Sequence, residues 1–146
     1  MLLLEANILI YAFRSDSPHH AACYGWLTGV LAGEEPVATT SVVELALLRI
    51  STLPALGTAS AAPADVFRFL ASLRQQSWTV RIEPGEHHLK LFQDFCAKLK
   101  LRGNDMNDAF LAALALEYDA TLVTADKGFS RFPGLRILDP TAWPSV

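Results

Sequence analysis

The chain has few cysteines, few charged side chains and no long apolar run. Its two cysteines, Cys23 and Cys96, lie far apart and form no CxxC pair, so neither a disulfide framework nor a cysteine zinc site is indicated. Charged residues make up 18% of the chain and the net charge is −3. This balance argues against a strongly basic nucleic-acid-binding module, because neutralising phosphates needs clustered lysine and arginine.

Membrane and nucleotide-binding signatures are also lacking. No apolar stretch approaches the roughly 18 residues of a membrane span. The apolar N-terminus is interrupted by Glu5 and Asn7, which is typical of a strand and not of a signal peptide. No GxGxxG or GxxxxGK[ST] motif follows an apolar run, which disfavours a nucleotide-binding domain. We therefore expect a cytoplasmic protein with no membrane contact.

Apolar side chains, in contrast, are plentiful. They make up 51% of the 146 residues, which excludes a disordered chain because disorder needs low hydrophobicity and high charge. The length predicts one domain, spanning residues 1–146. The apolar fraction exceeds what one small core needs, so we expect a face that binds a second copy or a partner.

Short apolar runs alternate with longer helical patterns along the chain. Strands are predicted at residues 2–4, 36–39, 78–82, 121–123 and 136–138, and helices at about 17–32, 41–50, 64–74, 86–100 and 107–118, with a small-residue loop at 57–64. Alternating strands and helices favour a parallel sheet with right-handed crossovers. The uniformly apolar strands fit a sheet covered on both faces. The prediction is a three-layer α/β/α domain with a central five-stranded parallel sheet.

Four acidic residues fall near the predicted carboxyl ends of these strands. Glu5 and Asp126 follow the first and fourth strands, while Glu44 and Asp108 lie in the first turns of helices. Open parallel sheets bind ligands at this edge, where the strand order reverses. Each acid alone could equally be structural, since acids near helix N-termini complement the helix dipole. Their shared location favours a functional group.

The chemistry expected of converging carboxylates is metal binding. Glu44 interrupts an otherwise apolar helix, and a carboxylate in such a setting is costly unless it is paired or bound to metal. Oxygen ligands without histidine or cysteine suit Mg²⁺ or Mn²⁺. Such an ion can lower the pKa of a bound water and hold a phosphate for in-line attack.

Four segments of the chain resemble the motifs of PIN-domain nucleases. They are residues 1–11, 41–45, 103–115 and 121–129, the last followed by 132–136. The resemblance spans almost the whole chain and is nearest to VapC-type toxins of type II toxin–antitoxin pairs. It implies a ribonuclease dependent on Mg²⁺ or Mn²⁺, acting on RNA such as transfer or ribosomal RNA. It also implies a homodimer and a cognate antitoxin whose C-terminal segment enters the active site.

The same resemblance assigns roles to individual residues. Glu5, Asp108 and Asp126 would hold the metal, with Glu44 as a further ligand or water-orienting base. Asn7 and Thr124 would orient these ligands. We expect water to attack the phosphorus and leave 5′-phosphate and 3′-hydroxyl ends.

One position departs from the family pattern, because Glu5 stands where the family has aspartate. The extra methylene moves the carboxylate by about 1 Å, and Mg²⁺ demands near-ideal distances. Three explanations are open: a substitution made to lower toxicity, which we favour; a natural variant that still ligates; or loss of activity. The last predicts a catalytically silent PIN-like module that binds an antitoxin or RNA.

Basic residues flank the third and fourth segments. Arg102, Lys127 and Arg131 are predicted to steer RNA phosphates toward the acids. The two histidine pairs, at 19–20 and 87–88, are interpreted as polar groups at helix ends, because adjacent positions on a helix point in different directions.

Overall fold

The computed structural model describes residues 1–142, which contain a single five-stranded parallel sheet. The strands are β1 (Leu2–Leu4), β2 (Val37–Thr39), β3 (Thr79–Arg81), β4 (Thr121–Val123) and β5 (Arg136–Leu138). Their order across the sheet is β3-β2-β1-β4-β5. The central strand β1 pairs with β2 on one side and with β4 on the other, where Leu4 lies opposite Val123.

Six α-helices connect these strands. They are α1 (Ala6–Phe13), α2 (His20–Leu31), α3 (Ser41–Ser51), α4 (Pro63–Arg74), α5 (His88–Leu99) and α6 (Asp105–Glu117). Short 3₁₀ helices cover Pro54–Ala59, Lys127–Arg131 and Pro140–Ala142. Within residues 1–142 no helix is long and apolar enough to cross a membrane.

The strand order divides the helices between the two faces of the sheet. The chain moves from β1 outward to β2 and β3, then returns across the sheet to β4 and β5. With right-handed crossovers, this reversal puts α1–α4 on one face and α5–α6 on the other. The contacts agree, because α1 packs on α2 and α3, α3 packs on α4, and α5 packs on α6. The predicted three-layer fold is confirmed.

The core lies around the two central strands and α6. Leu3, Leu4, Leu122 and Val123 are fully buried. Helix α6 is buried almost all round, as its uniformly apolar sequence predicted; its buried residues are Ala109, Leu111, Ala112, Ala113, Leu114 and Ala115. Each large aliphatic side chain buried here contributes about 1.5–3 kcal/mol. The first turn of α6 is therefore held firmly against the sheet edge.

Helix α1 is the main element that the sequence did not predict. No helix was predicted between the first strand and residue 17. The helix has 8 residues and buries Ile8, Leu9 and Ala12. Its sequence is apolar nearly all round, so no polar face marks a helical period.

Candidate active site

The carboxyl ends of β1 and β4 meet where the strand order reverses. Glu5 directly follows β1 and Thr124 directly follows β4. Because these strands are paired neighbours, both side chains emerge at the same edge. The Thr124 hydroxyl donates a hydrogen bond to Glu5 Oε2 at 3.0 Å. This bond joins residues 119 positions apart in the sequence.

The Thr124 hydroxyl also organises Asp126. It accepts a hydrogen bond from the Asp126 backbone N–H at 3.0 Å. The Asp126 carboxylate begins the 3₁₀ helix Lys127–Arg131, and its Oδ1 accepts from the Gly128 N–H at 2.8 Å. One hydroxyl therefore fixes the chain leading to Asp126 and the side chain of Glu5.

The third acid, Asp108, lies in the first turn of α6. Burial raises its pKa, and the nearby charges of Asp126 and Asp105 raise it further, while Arg131 lowers it. The pKa of Glu5 is raised for similar reasons. Burial raises the pKa of Glu5 to about 7, and the charges of Asp108 and Asp126 contribute, against lowering by hydrogen bonds from Thr124 and the Asn7 backbone. Glu5, Asp108 and Asp126 therefore repel one another in one region of the molecule.

A cavity of about 420 Å³ opens beside Glu5 and Asp108. Its walls combine carboxylates from Glu5 and Asp108 with amides from Asn104 and Asn107 and a guanidinium from Arg49. Its apolar wall is supplied by Val42, Val43, Leu45, Ala46, Ile50, Leu111 and Phe129. The volume falls in the range of ordinary ligand sites, and the walls offer both charges to a ligand.

A second cavity, of about 370 Å³, is lined by Asp126, Thr124, Lys127 and Asp139. Asp139 was missed by the sequence reasoning, although it directly follows β5 as Glu5 follows β1. Its Oδ1 accepts from the backbone N–H and hydroxyl of Thr141, at 2.9 and 2.7 Å. The strand-end rule, applied to the fifth strand, would have identified this acid.

The structure places the Glu44 carboxylate apart from the other three predicted acids. Its carboxylate is buried but faces away from the cavity, toward α4 and β3. Oε1 accepts from the Thr39 hydroxyl at 2.9 Å, and Oε2 pairs with Arg74 Nη2 at 2.6 Å and Arg81 Nη2 at 3.6 Å. A buried acid in an apolar helix did need a counter-charge, as predicted, but two arginines supply it. In this geometry the Glu44 carboxylate is therefore held in ion pairs and does not line the cavity.

The Arg131 guanidinium forms ion pairs with Asp108 and Asp105. Its Nη2 is 3.1 Å from Asp108 Oδ2 and 3.2 Å from Asp105 Oδ1. The other two predicted basic residues, Arg102 and Lys127, are exposed. Neither forms an ion pair within residues 1–142. Of the three basic residues predicted to steer RNA, Arg131 thus differs from the other two in being paired with acids.

The donor atoms suit a hard divalent cation. Three repelling carboxylates supply oxygen only, and the buried Asn7 Oδ1 has no hydrogen-bond partner among the described residues. No three acidic, histidine or cysteine side chains of residues 1–142 are yet gathered closely enough to hold one ion. The oxygen atoms are of the type that binds a divalent metal ion. One of them, Asp108 Oδ2, is paired with Arg131.

Comparison with known proteins places this geometry in a family. The PIN domain model matches residues 2–135. The chain is 35% identical over 140 residues to VapC ribonuclease Mb2897 of Mycobacterium bovis, covering 96% of this chain and 95% of the relative. It is 30% identical to ribonuclease VapC25 of Mycobacterium tuberculosis, covering 96% and 99%.

Two solved structures have the same fold. One is VapBC2 from Rickettsia felis bound to a promoter DNA fragment, with a TM-score of 0.70 at 24% identity, covering 94% of this chain and 97% of that one. The other is Mycobacterium tuberculosis VapC20, a toxin that cleaves the sarcin-ricin loop, with a TM-score of 0.65 at 12% identity, covering 93% and 99%. By sequence and by fold, the chain belongs to the PIN domain family, among its VapC ribonucleases.

Proposed function

We propose that this protein is the toxin of a toxin–antitoxin pair and an endoribonuclease that hydrolyses RNA phosphodiester bonds. The observation that carries the proposal is that Glu5, Asp108 and Asp126 lie near enough for the charges of the two aspartates to raise the pKa of Glu5, while Glu5 and Asp108 line a cavity of about 420 Å³. The relatives named ribonucleases support RNA as the substrate. PIN-domain VapC ribonucleases depend on metal ions.

Glu5, Asp108 and Asp126 would hold Mg²⁺ or Mn²⁺. When bound, the ion supplies an activated water and stabilises the charge that develops on the phosphate. The chain's own part is orientation. Thr124 holds Glu5 through its hydroxyl, the Gly128 N–H holds Asp126, and Asn7 adds a backbone N–H to Glu5. Such supporting bonds typically affect metal affinity or activity by 10- to 100-fold.

The RNA strand would reach the acids by lying along the cavity wall that α3 and α6 form. Arg49, Asn104 and Asn107 line that wall and can contact phosphate or base edges. Lys127 and Arg102 are exposed cations near the same helix and turn, suited to guiding phosphates. We propose a transfer or ribosomal RNA target and a cytoplasmic location, where such RNA is found.

A cognate antitoxin and a second copy of the chain are the proposed partners. Structural neighbours are VapBC complexes, which supports the antitoxin. The surface also leaves large apolar side chains in water, including Leu45 at 64% and Phe67 at 55% exposure. These residues belong to α3 and α4, two helices in contact, and contiguous apolar patches mark interaction sites. A sedimentation experiment tests the homodimer, and a monodisperse monomer contradicts it.

The test of the enzymatic proposal compares matched variants on a mixed RNA substrate with Mg²⁺ or Mn²⁺. Asp108→Asn and Asp126→Asn are expected to lower cleavage at least about a hundredfold, since each removes a charged ligand. Glu34→Gln is the control, because Glu34 is exposed and lines neither cavity, and it should retain cleavage. Mapping the RNA ends should find 5′-phosphates; 2′,3′-cyclic phosphates would refute hydrolysis by water.

The Glu5→Asp variant tests the departure from the family pattern. If Glu5 attenuates an active enzyme, the aspartate variant cleaves faster than the chain with glutamate. No cleavage by either form, with antitoxin or RNA binding unaffected by Asp108→Asn, would favour the catalytically silent binding module.

A further inference from the structure

We propose that Arg131 is a displaceable internal counter-ion of the metal site: it holds Asp108 until a divalent ion arrives, then yields its place. This inference rests on the proposed function. It goes beyond it by giving Arg131 a role before RNA is bound.

The position of Arg131 is the first observation. A single nitrogen, Nη2, is shared between Asp108 Oδ2 at 3.1 Å and Asp105 Oδ1 at 3.2 Å. The guanidinium carbon also lies 5.1 Å from the centre of the Phe132 ring. The cation therefore occupies Oδ2 of Asp108, an oxygen that could otherwise bind a metal.

The turn that carries Arg131 is the second observation. A Cβ on Gly128 would lie 3.0 Å from Asp126 Oδ1 and 3.6 Å from Arg131 Nη1. Because Gly128 has no side chain, both groups can approach its backbone closely. Asp126 and Arg131 therefore flank one glycine, and the guanidinium lies close to two of the three proposed ligands.

The weakness of the attachment is the third observation. The Arg131 side chain is 35% exposed, and only one of its nitrogens meets the carboxylates. Arg136 offers a contrast. Its Nη1 and Nη2 bind the side chain and carbonyl of Asp119 at 2.9 and 2.6 Å, and its Nε binds Thr121. Part-exposed pairs without such a fork contribute little to stability, so a divalent ion can displace Arg131.

Displacement has a consequence for the substrate. Once released, the guanidinium stays tethered to the five-residue turn beside the acids. It is then free to contact a phosphate oxygen, for which arginine is well suited. Arg131 thus makes the RNA contact predicted from the sequence, but only after the ion is bound.

Calorimetric titration of the full-length chain with Mn²⁺ alone tests the proposal. Arg131→Gln should bind Mn²⁺ about three- to tenfold more tightly than the starting chain, because the competing cation is gone. Arg131→Lys keeps the charge and should restore the starting affinity. Arg136→Gln, the matched control, should bind like the starting chain.

The outcomes separate this inference from the proposed function. Equal or weaker Mn²⁺ binding by Arg131→Gln, beside clear binding by the starting chain, overturns the counter-ion role and leaves the metal site intact. Absence of Mn²⁺ binding in every form overturns the metal site, and this inference with it. Arg131→Met, of similar length and uncharged, replaces the glutamine variant if that one fails to fold, with the same expectation.

Discussion

Replacing Glu5 by glutamine should make the metal-free protein more stable at alkaline pH. Glu5 is a partly buried acid beside two other carboxylates, and burial is the main reason that its pKa rises from 4.5 to about 7. The substitution removes the charge but keeps an oxygen that can accept the Thr124 hydroxyl bond. The variant should therefore lose a pH-dependent penalty and little else.

The sign follows from proton linkage. An acid whose pKa is higher in the folded state binds its proton more tightly there, so its contribution stabilises the fold below about pH 4.5. That contribution is lost as pH rises through 7. A shift from 4.5 to about 7 corresponds to at most about 3 kcal/mol in the free energy of unfolding. At pH 8 the Glu5→Gln variant should exceed the starting chain by up to about this amount.

Urea unfolding in EDTA, at pH 5.5 and at pH 8, measures the effect. The starting chain should lose stability between the two pH values, and Glu5→Gln should lose much less. Glu34→Gln is the control, since Glu34 is exposed and away from the acids, and it should follow the starting chain. A Glu5→Gln variant that is less stable than the starting chain at pH 8 would refute the reasoning.

Three further predictions concern packing, hydrogen bonds and ion pairs away from Glu5, Asp108 and Asp126. Glu44→Gln should lower the free energy of unfolding by about 1–3 kcal/mol, because it removes the charge that Arg74 and Arg81 neutralise, and urea unfolding measures this. Glu117→Gln should cost about 1 kcal/mol, since its carboxylate accepts two backbone N–H groups ahead of α5; unchanged urea midpoints would contradict that role. Leu122→Ala, at a fully buried residue of β4, should cost about 2–5 kcal/mol and lower the melting temperature in calorimetry.

The sequence predicted the sheet and the location of Glu5, Asp108 and Asp126 near one edge of it, because strand ends are local information. Glu5 and Asp126 follow short apolar runs, and parallel pairing brings such ends to one edge. Asp108 required only that its buried helix begin at that edge, which the apolar sequence of α6 made reasonable. Nothing about these positions depended on knowing which distant side chains they would meet.

Glu44 shows where this reasoning stops. Its place in the first turn of α3 was correctly predicted, but the direction of its carboxylate depends on Arg74, 30 residues later, and on Arg81. A position on a helix gives no information about partners supplied by other elements. The pairing of Arg131 with Asp105 and Asp108 was not predicted for the same reason, since it spans more than 20 residues.

The length of the 3₁₀ helix Lys127–Arg131 sets the distance between two opposite charges. Its start follows an anion, Asp126, and its end bears a cation, Arg131, so their separation is set by five residues of backbone. Lengthening this segment by one residue would rotate the cation away from α6 while leaving the anion in place. Related chains that differ in the length of this segment should accordingly differ in how readily they load metal, even with every acid preserved.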